Sequence, residues 1–265
     1  MSALAGRVAL VTGGSSGLGR AAALAFARAG AKVVLAARGP ERGKEVAQEI
    51  ERAGGQALFV PTDVSRAEEV ARLVEATVAR FGRLDCAFNN AAGRDTMLQA
   101  LTEVSEAEFD RALAVNLKGV WLCLKHEVGR MLEQDPPGGA IVNTSSVNGL
   151  GGAPYAAVYA ATKAGILGLT KSAALEYAAR GIRVNALAAG AFDTPMLNEG
   201  IDRMAGGDPK ERERIVTEYR RLIALGRIGR PEEAAEVVVW LCSDAASYVT
   251  GHTLIVDGGL SAAMR

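Results

Sequence analysis

Thr12-Gly13-Gly14-Ser15-Ser16-Gly17-Leu18-Gly19 joins an apolar run at 7–11 to a helical pattern at 17–29. A helix that starts directly off a strand has unpaired N–H groups at its first turn, at the positive end of its dipole. Glycines at 13, 17 and 19 let the backbone close on an anion where a Cβ would collide with it. The stretch therefore reads as a phosphate-binding turn, with Gly13, Ser15, Ser16, Gly17, Leu18 and Gly19 as candidate contacts. Its spacing is Gly-x-x-x-Gly-x-Gly, not the GxGxxG of the commonest dinucleotide fingerprint. Residues 13–17 also fit GxSxG, the nucleophile elbow of hydrolases, with His252 downstream as a possible partner. That fold places several strands and an oxyanion loop ahead of its elbow, and few residues precede Ser15, so the hydrolase reading ranks below the nucleotide reading.

Outward from this turn, short apolar runs recur at 32–36, 57–60, 84–88, 140–142, 183–187 and 253–256. Such unbroken runs read as strands buried on both faces. Helical patterns lie between them at 40–52, 67–80, 105–133, 155–179 and 231–242. Strand–helix alternation along the whole length predicts one α/β domain, 1–265: a doubly wound, parallel, seven-stranded, Rossmann-like sheet of order 3-2-1-4-5-6-7 with helices on both faces. Between 190 and 226 the alternation stops. Met196, Leu197, Ile201 and Met204 precede a charged run at 210–214, which reads as a substrate-loop insertion at about 191–225 whose charged half suits a solvated helix.

The 30 Lys and Arg balance the 30 Asp and Glu, so charge offers no case for nucleic acid or an anionic membrane. Cys86, Cys123 and Cys242 are odd in number and widely spaced, which argues against a disulfide framework and for a reducing compartment. With two histidines and no CxxC, no metal site is expected. No run reaches the roughly 20 apolar residues of a membrane span, and the start lacks a signal-peptide pattern. A soluble, cytoplasmic protein is expected.

Ala37-Arg38 ends the second run. An acid there would accept from a ribose 2′-hydroxyl; Arg38 instead suits a 2′-phosphate, so NADP(H) is favoured and NAD(H) stays possible. Asp63 and Val64 follow the third run. Asp63 is placed either to accept from an adenine amine or to cap the next helix. Tyr159 and Lys163 are four residues apart on one face of a predicted helix. A nearby ammonium is expected to lower the phenol's pKa and make Tyr159 an acid/base. Ser146 can hold a substrate oxygen beside it, whereas Ser145 suits a turn or cap. Asn116, a poor helix former inside a helical pattern, either satisfies a backbone group or holds a water.

Together, Thr12-Gly13-x-x-x-Gly17-x-Gly19, Asp63, Asn89-Asn90-Ala91, Asn116, Ser146, Tyr159-x-x-x-Lys163, Asn185, Gly190-x-x-x-Thr194 and Val256-Asp257-Gly258-Gly259 resemble the short-chain dehydrogenase/reductase family over nearly the whole chain. The resemblance implies an NAD(P)-dependent oxidoreductase that interconverts a secondary alcohol and a ketone. It implies a substrate-oxygen role for Ser146, acid/base chemistry and a cofactor contact for Tyr159, and ribose anchoring and pKa modulation for Lys163. Asn116 would hold a relay water, and Asn90 would line the adenosine ribose. Gly190, Phe192 and Thr194 would border the nicotinamide carboxamide. A homotetramer is implied too, with the helices at 105–133 and 155–179 forming one interface and Ala156, Ala160, Ala164 and Gly168 allowing close contact. The chain departs from the family pattern at Ala92, Ala189, Phe192 and Ser16, the last standing where NADP-preferring members often carry a basic residue. Met97, Leu150, Phe192, Met196, Leu197 and Met204 suggest an apolar pocket for a hydrophobic or cyclic ketone or alcohol, with Arg94 as a possible anchor for an anionic group. The competing reading is a non-catalytic nucleotide-binding sensor or scaffold.

Overall fold

The computed structural model describes residues 2–94 and 96–262. Seven strands, β1 (Val8–Thr12), β2 (Lys32–Ala37), β3 (Ala57–Pro61), β4 (Cys86–Asn89), β5 (Gly139–Ser146), β6 (Ile182–Ala189) and β7 (Thr253–Val256), form one sheet. Its order is β3-β2-β1-β4-β5-β6-β7, as expected, and the neighbouring strands run parallel. All five residues of β1 are buried. Alternate side chains feed opposite layers: Val11 packs with Phe26, Leu35 and Val238, whereas Leu10 packs with Val34, Leu73, Ile141 and Ile166. Two buried faces explain why the strands read as unbroken apolar runs.

The helices are α1 (Gly17–Arg28), α2 (Pro40–Arg52), α3 (Ala67–Phe81), α4 (Glu106–Leu113), α5 (Gly119–Glu133), α6 (Ala157–Tyr177), α7 (Pro195–Ala205), α8 (Pro209–Leu222) and α9 (Pro231–Cys242). α1 presents Ala21, Ala22 and Ala25 to the core, where its small side chains let α9 pack close.

Two stretches differ from the expectation. The pattern at 105–133 is not one helix but α4, a π-helical segment at Ala114–Lys118, and α5. The disruption centres on Asn116, whose amide donates to Gly93 O at 3.1 Å and accepts from Gly93 N at 2.7 Å. That loop lies far away in sequence, so periodicity cannot reveal the widened turn. The 190–226 zone is ordered into α7 and α8. Thr194 accepts from Leu197 N, Asp208 accepts from Lys210 N, and a proline follows each cap at the first helical position. The charged run is solvated, as expected, and laced by the Arg214–Glu211 and Arg212–Asp202 pairs.

On α6 the stripe of small residues expected at an interface is open in its second half, at Ala164 and Gly168, and covered in its first. Ala156 is buried and Ala160 half-buried, while Ala157, Ala161, Ala164 and Gly168 are exposed. Tyr159, Lys163 and Ile166 claim the inward side of the helix.

Candidate functional site

A cleft of about 590 Å³ opens at the carboxyl ends of the strands. Gly13 lies beyond β1, Arg38 beyond β2, Asp63 beyond β3, Asn90 beyond β4 and Gly190 beyond β6, and Ser146 ends β5; all of them line it. A parallel sheet gathers its loops at this edge, where ligands bind in open α/β folds.

The turn after β1 is shaped for close backbone approach. Gly13 has φ +67°, a conformation that favours glycine, and Gly19 packs so near that a Cβ there would collide with Gly13 O and lie 2.7 Å from Asn90 Nδ2. Ser16 caps α1 without a side-chain bond, so the first N–H groups of the helix face the cleft edge with no side-chain acceptor of its own. Gly13, Ser15, Ser16, Gly17 and Leu18 line the cleft; Gly19 instead stands behind the turn. Thr12 Oγ1 accepts from Asn90 N at 3.0 Å and Ala91 N at 3.2 Å, which pins the exit of β4 beside the turn. This cradle, which a Cβ would fill, fits a pyrophosphate.

At the next two strand ends, Arg38 and Asp63 face the cleft. Asp63 Oδ1 accepts from Ser65 N at 3.0 Å and Ser65 Oγ at 2.7 Å. Burial raises its carboxyl, but the Ser65 bonds and the Arg38 and Arg66 charges outweigh that and hold it below the ordinary range. Asp63 thus organises its own turn while keeping an edge on the cleft; the residue capping α3 is Arg66. Arg42, in the first turn of α2, also lines this end and was missed in the sequence because it sits inside a helical pattern.

At the opposite end, Ser146, Tyr159 and Lys163 converge. Ser146 ends β5, its Oγ accepts from Asn148 N at 3.2 Å, and the hydroxyl lies near enough to the Tyr159 phenol to draw that phenol's pKa down. Lys163 is 1 % exposed, donates from Nζ to Thr144 O at 2.8 Å, and lies 5.6 Å from the centre of the Tyr159 ring. Ser145 donates to Lys163 O at 2.8 Å and fastens α6 to β5, the structural role open to it. The expected depression of the phenol's pKa is reversed. Burial pushes Tyr159 up to about 12 against the pull of Ser146, and burial pushes Lys163 down to about 8. Spacing shows that a lysine is near; it does not show how much water both groups have lost.

The other positions sort plainly. Asn116 lies behind the cleft, with both ends of its side-chain amide taken by Gly93. Val64, Asn90, Gly190, Phe192 and Thr194 line the cleft. A Cβ on Gly190 would come within 2.7 Å of Asp257 Cα, so glycine lets β6 and β7 exit side by side. The Phe192 ring packs on Gly229, where a Cβ would meet it at 2.8 Å. Asn185 is a bracket between β6 and the 249–252 loop: it donates to Val249 O and accepts from His252 N. His252 precedes β7 whereas Ser15 follows β1, so these two occupy opposite edges of the sheet, and the hydrolase reading falls. Met97, Leu98, Met196, Leu197, Met204 and Tyr219 supply apolar wall; Leu150 does not reach it. Arg94 is ion-paired with Glu199.

Residues 13–261 match a family model described as "Enoyl-(Acyl carrier protein) reductase". An A-factor type gamma-butyrolactone 1′-reductase from Streptomyces virginiae is 43% identical over 97% of this chain and 96% of that protein. The chain belongs to the short-chain dehydrogenase/reductase family. A 2,5-dichloro-2,5-cyclohexadiene-1,4-diol dehydrogenase from Sphingobium indicum is 42% identical over 99% of this chain and all (100%) of that protein. The crystal structure of levodione reductase superposes with a TM-score of 0.92 at 38% identity, covering 98% of this chain and 100% of that one. This short-chain dehydrogenase/reductase is an oxidoreductase that uses a nicotinamide nucleotide to interconvert an alcohol and a carbonyl. Its relatives are reductases and dehydrogenases, so the non-catalytic sensor is set aside. No helix among the described residues is long and apolar enough to cross a membrane.

Proposed function

We propose that the chain, acting as a single catalytic unit, reduces a hydrophobic or cyclic ketone with NADPH, and runs the reverse oxidation, with Tyr159 as the proton donor. The observation that carries this reading is the convergence of the Ser146 hydroxyl, the Tyr159 phenol and buried Lys163 in one cleft. When bound, the nicotinamide supplies or accepts the hydride. Ser146 orients the substrate oxygen, and Tyr159 delivers its proton to that oxygen as negative charge develops. The Lys163 ammonium, cationic below about pH 8, stabilises the phenolate left behind. Gly13, Ser15, Ser16, Gly17 and Leu18 hold the pyrophosphate and Asp63, Val64 and Asn90 the adenosine side. Gly190, Phe192 and Thr194 border the carboxamide, and Asn116 braces the Gly93 loop that walls the site.

Apolar walls favour ring ketones over charged acids, and Arg94 is engaged by Glu199. The names of two relatives, a gamma-butyrolactone reductase and a cyclohexadienediol dehydrogenase, agree with a ring substrate. Nicotinamide absorbance against a panel of cyclic ketones and secondary alcohols, with NADPH and NADH, tests the reading. No turnover of any ring ketone by a chain that binds the nucleotide would overturn it.

Two arginines support NADP(H). Arg38 and Arg42 line the same end of the cleft, and Ala37 leaves no acid to accept from a 2′-hydroxyl. Charge-assisted bonds contribute about 1.5–3 kcal/mol each, so R38A/R42A raises the NADPH KM by roughly 10²–10⁴-fold and leaves the NADH KM near its starting value. Equal effects on both cofactors would refute the assignment.

We further propose a homotetramer in the cytoplasm, where the three buried free thiols suit a reducing compartment. Phe109, Trp121 and Leu175 are exposed, as are Ala157, Ala161, Ala164 and Gly168 of α6, and Trp240, Tyr248 and Ile255 are exposed toward the end of the chain. Exposed large apolar side chains of this number suit an interface between copies. Light scattering on the eluted protein is expected to give four chains per particle, and a monomer would overturn the assembly.

A further inference from the structure

Beneath the Tyr159–Lys163 pair, polar side chains from four elements meet in the core. Asn89 ends β4, Asn143 lies on β5, Glu127 on α5 and Thr170 on α6, and none exceeds 1 % exposure. Asn89 Nδ2 donates to Glu127 Oε2 at 2.9 Å and to Asn143 Oδ1 at 3.0 Å, and Asn143 Nδ2 donates to Thr170 Oγ1 at 3.0 Å. Both amide hydrogens of Asn89 are thereby spent. Two buried oxygens are left with no donor, Asn89 Oδ1 and Glu127 Oε1, and they belong to the two groups already joined.

Buried acceptors without donors are costly, and a buried carboxylate without a cation more so. The ionisable groups on the surrounding elements do not supply a charge partner to Glu127. Arg130, one turn along α5, donates to Gly82 O and pairs with Glu133; its buried Nε has no partner, but its charge is not among the influences on the Glu127 carboxyl. Asp85, just ahead of β4, binds Val8 N and Arg83, and Lys163 on α6 donates to Thr144 O. His126 feels Lys125 and Glu75, and Arg80 of α3 lies over Phe81. Cys123 on α5 is a buried thiol that the Glu127 charge would push up further. One proton on Glu127 Oε1 is the donor that this set lacks. A carboxylic acid and a primary amide satisfy each other through two antiparallel bonds, which closes both orphaned oxygens at once.

We propose that Glu127 is held as a neutral carboxylic acid that donates to Asn89 Oδ1, and that this clip is a positioning device for the catalytic helix. The chain Glu127–Asn89–Asn143–Thr170 ties α5, β4 and β5 to α6, and Thr170 stands two turns beyond Lys163 on the same buried face. Asn89 also adjoins Asn90 at the cleft, so one proton braces both the nucleotide end and the acid/base end. Burial pushes the Glu127 carboxyl up to about 7 against the bond from Asn89, and donation from its acid form acts in the same direction as burial. Since the folded value lies above the unfolded one, the stabilisation is fully present below about pH 4.5 and is lost as pH rises through about 7.

Infrared difference spectra of the full chain, wild type against E127Q, test the proton directly. At about pH 6 the wild type is expected to show a protonated-carboxyl C=O stretch that E127Q lacks. Gln reproduces both bonds to Asn89 without ionising. E127Q is therefore expected to keep kcat and KM within about twofold and to lose the decline of melting temperature between about pH 5 and 8. E127A leaves Asn89 unpaired and is expected to lower kcat by about tenfold or more through a displaced α6. Absence of the stretch, or an E127Q as impaired as E127A, would overturn the proposal. If E127A does not fold, the stretch and the E127Q profiles decide alone. The spectra and melting curves need no substrate, so they stand apart from the choice of ketone.

Discussion

Tyr159→Phe lowers kcat for ketone reduction by about 10²–10⁴-fold, some 3–5 kcal/mol, and leaves the nucleotide dissociation constant unchanged. The phenol is 8 % exposed and shares the cleft with Ser146, so Phe fits the same space and removes one hydroxyl. Steady-state rates with nucleotide fluorescence titration separate the two effects. Retention of full turnover would sink the acid/base assignment, because nothing else in the cleft stands where Tyr159 does, beside both Ser146 and Lys163. A parallel loss of nucleotide affinity would instead mark Tyr159 as a binding residue.

The pH dependence follows from the two buried groups. With Tyr159 pushed up to about 12, the phenol keeps its proton across the working range and is ready to protonate a developing alkoxide. Lys163, pushed down to about 8, is cationic below that value and neutral above it. Reduction is therefore expected to be flat at low pH and to fall as pH rises through about 8, when the ammonium that stabilises the phenolate is lost. Oxidation needs the phenolate and is expected to rise with pH. A burial effect on both partners, rather than the simple pairing read from their spacing, sets this asymmetry.

What was legible in the sequence had local causes. Strands buried on both faces leave continuous apolar runs, and Val8 to Thr12 with its glycine turn identifies both the first strand and the anion-facing helix start. Ser146, Tyr159 and Lys163 were legible as a set because a strand end and a helix face each fix their own geometry. What stayed hidden depends on contacts between distant segments. The π-helical segment at Ala114–Lys118 answers to Gly93, twenty-odd residues upstream, and no periodicity encodes that bond. Arg42 sits inside an amphipathic pattern whose entry angle alone turns it toward the cleft. The Glu127 cluster joins four elements, and in sequence Glu127 looks like any acid on a helix.

Gly19→Ala abolishes measurable nucleotide binding, with a rise in Kd of at least about 10²-fold, and lowers stability by about 1–3 kcal/mol. α1 is otherwise a good host for alanine, since Ala21, Ala22 and Ala23 are already buried in it, so helix propensity alone would favour the change. Packing reverses that expectation. The added Cβ would run into Gly13 O and come within 2.7 Å of Asn90 Nδ2, and the first of these is backbone that has no rotamer to yield. The turn must move outward or α1 must shift along its axis. Either displacement carries away the N–H groups that would meet a bound pyrophosphate, and Asn90 loses its hold beside Thr12. Isothermal titration with NADPH and a denaturant melt measure the two consequences separately. A Gly129→Ala control, on an open stretch of α5 where a Cβ meets nothing within 4 Å, is expected to be neutral or mildly stabilising. If Gly19→Ala bound NADPH like the wild type, the close approach of α1 to the turn would not be what shapes the phosphate cradle.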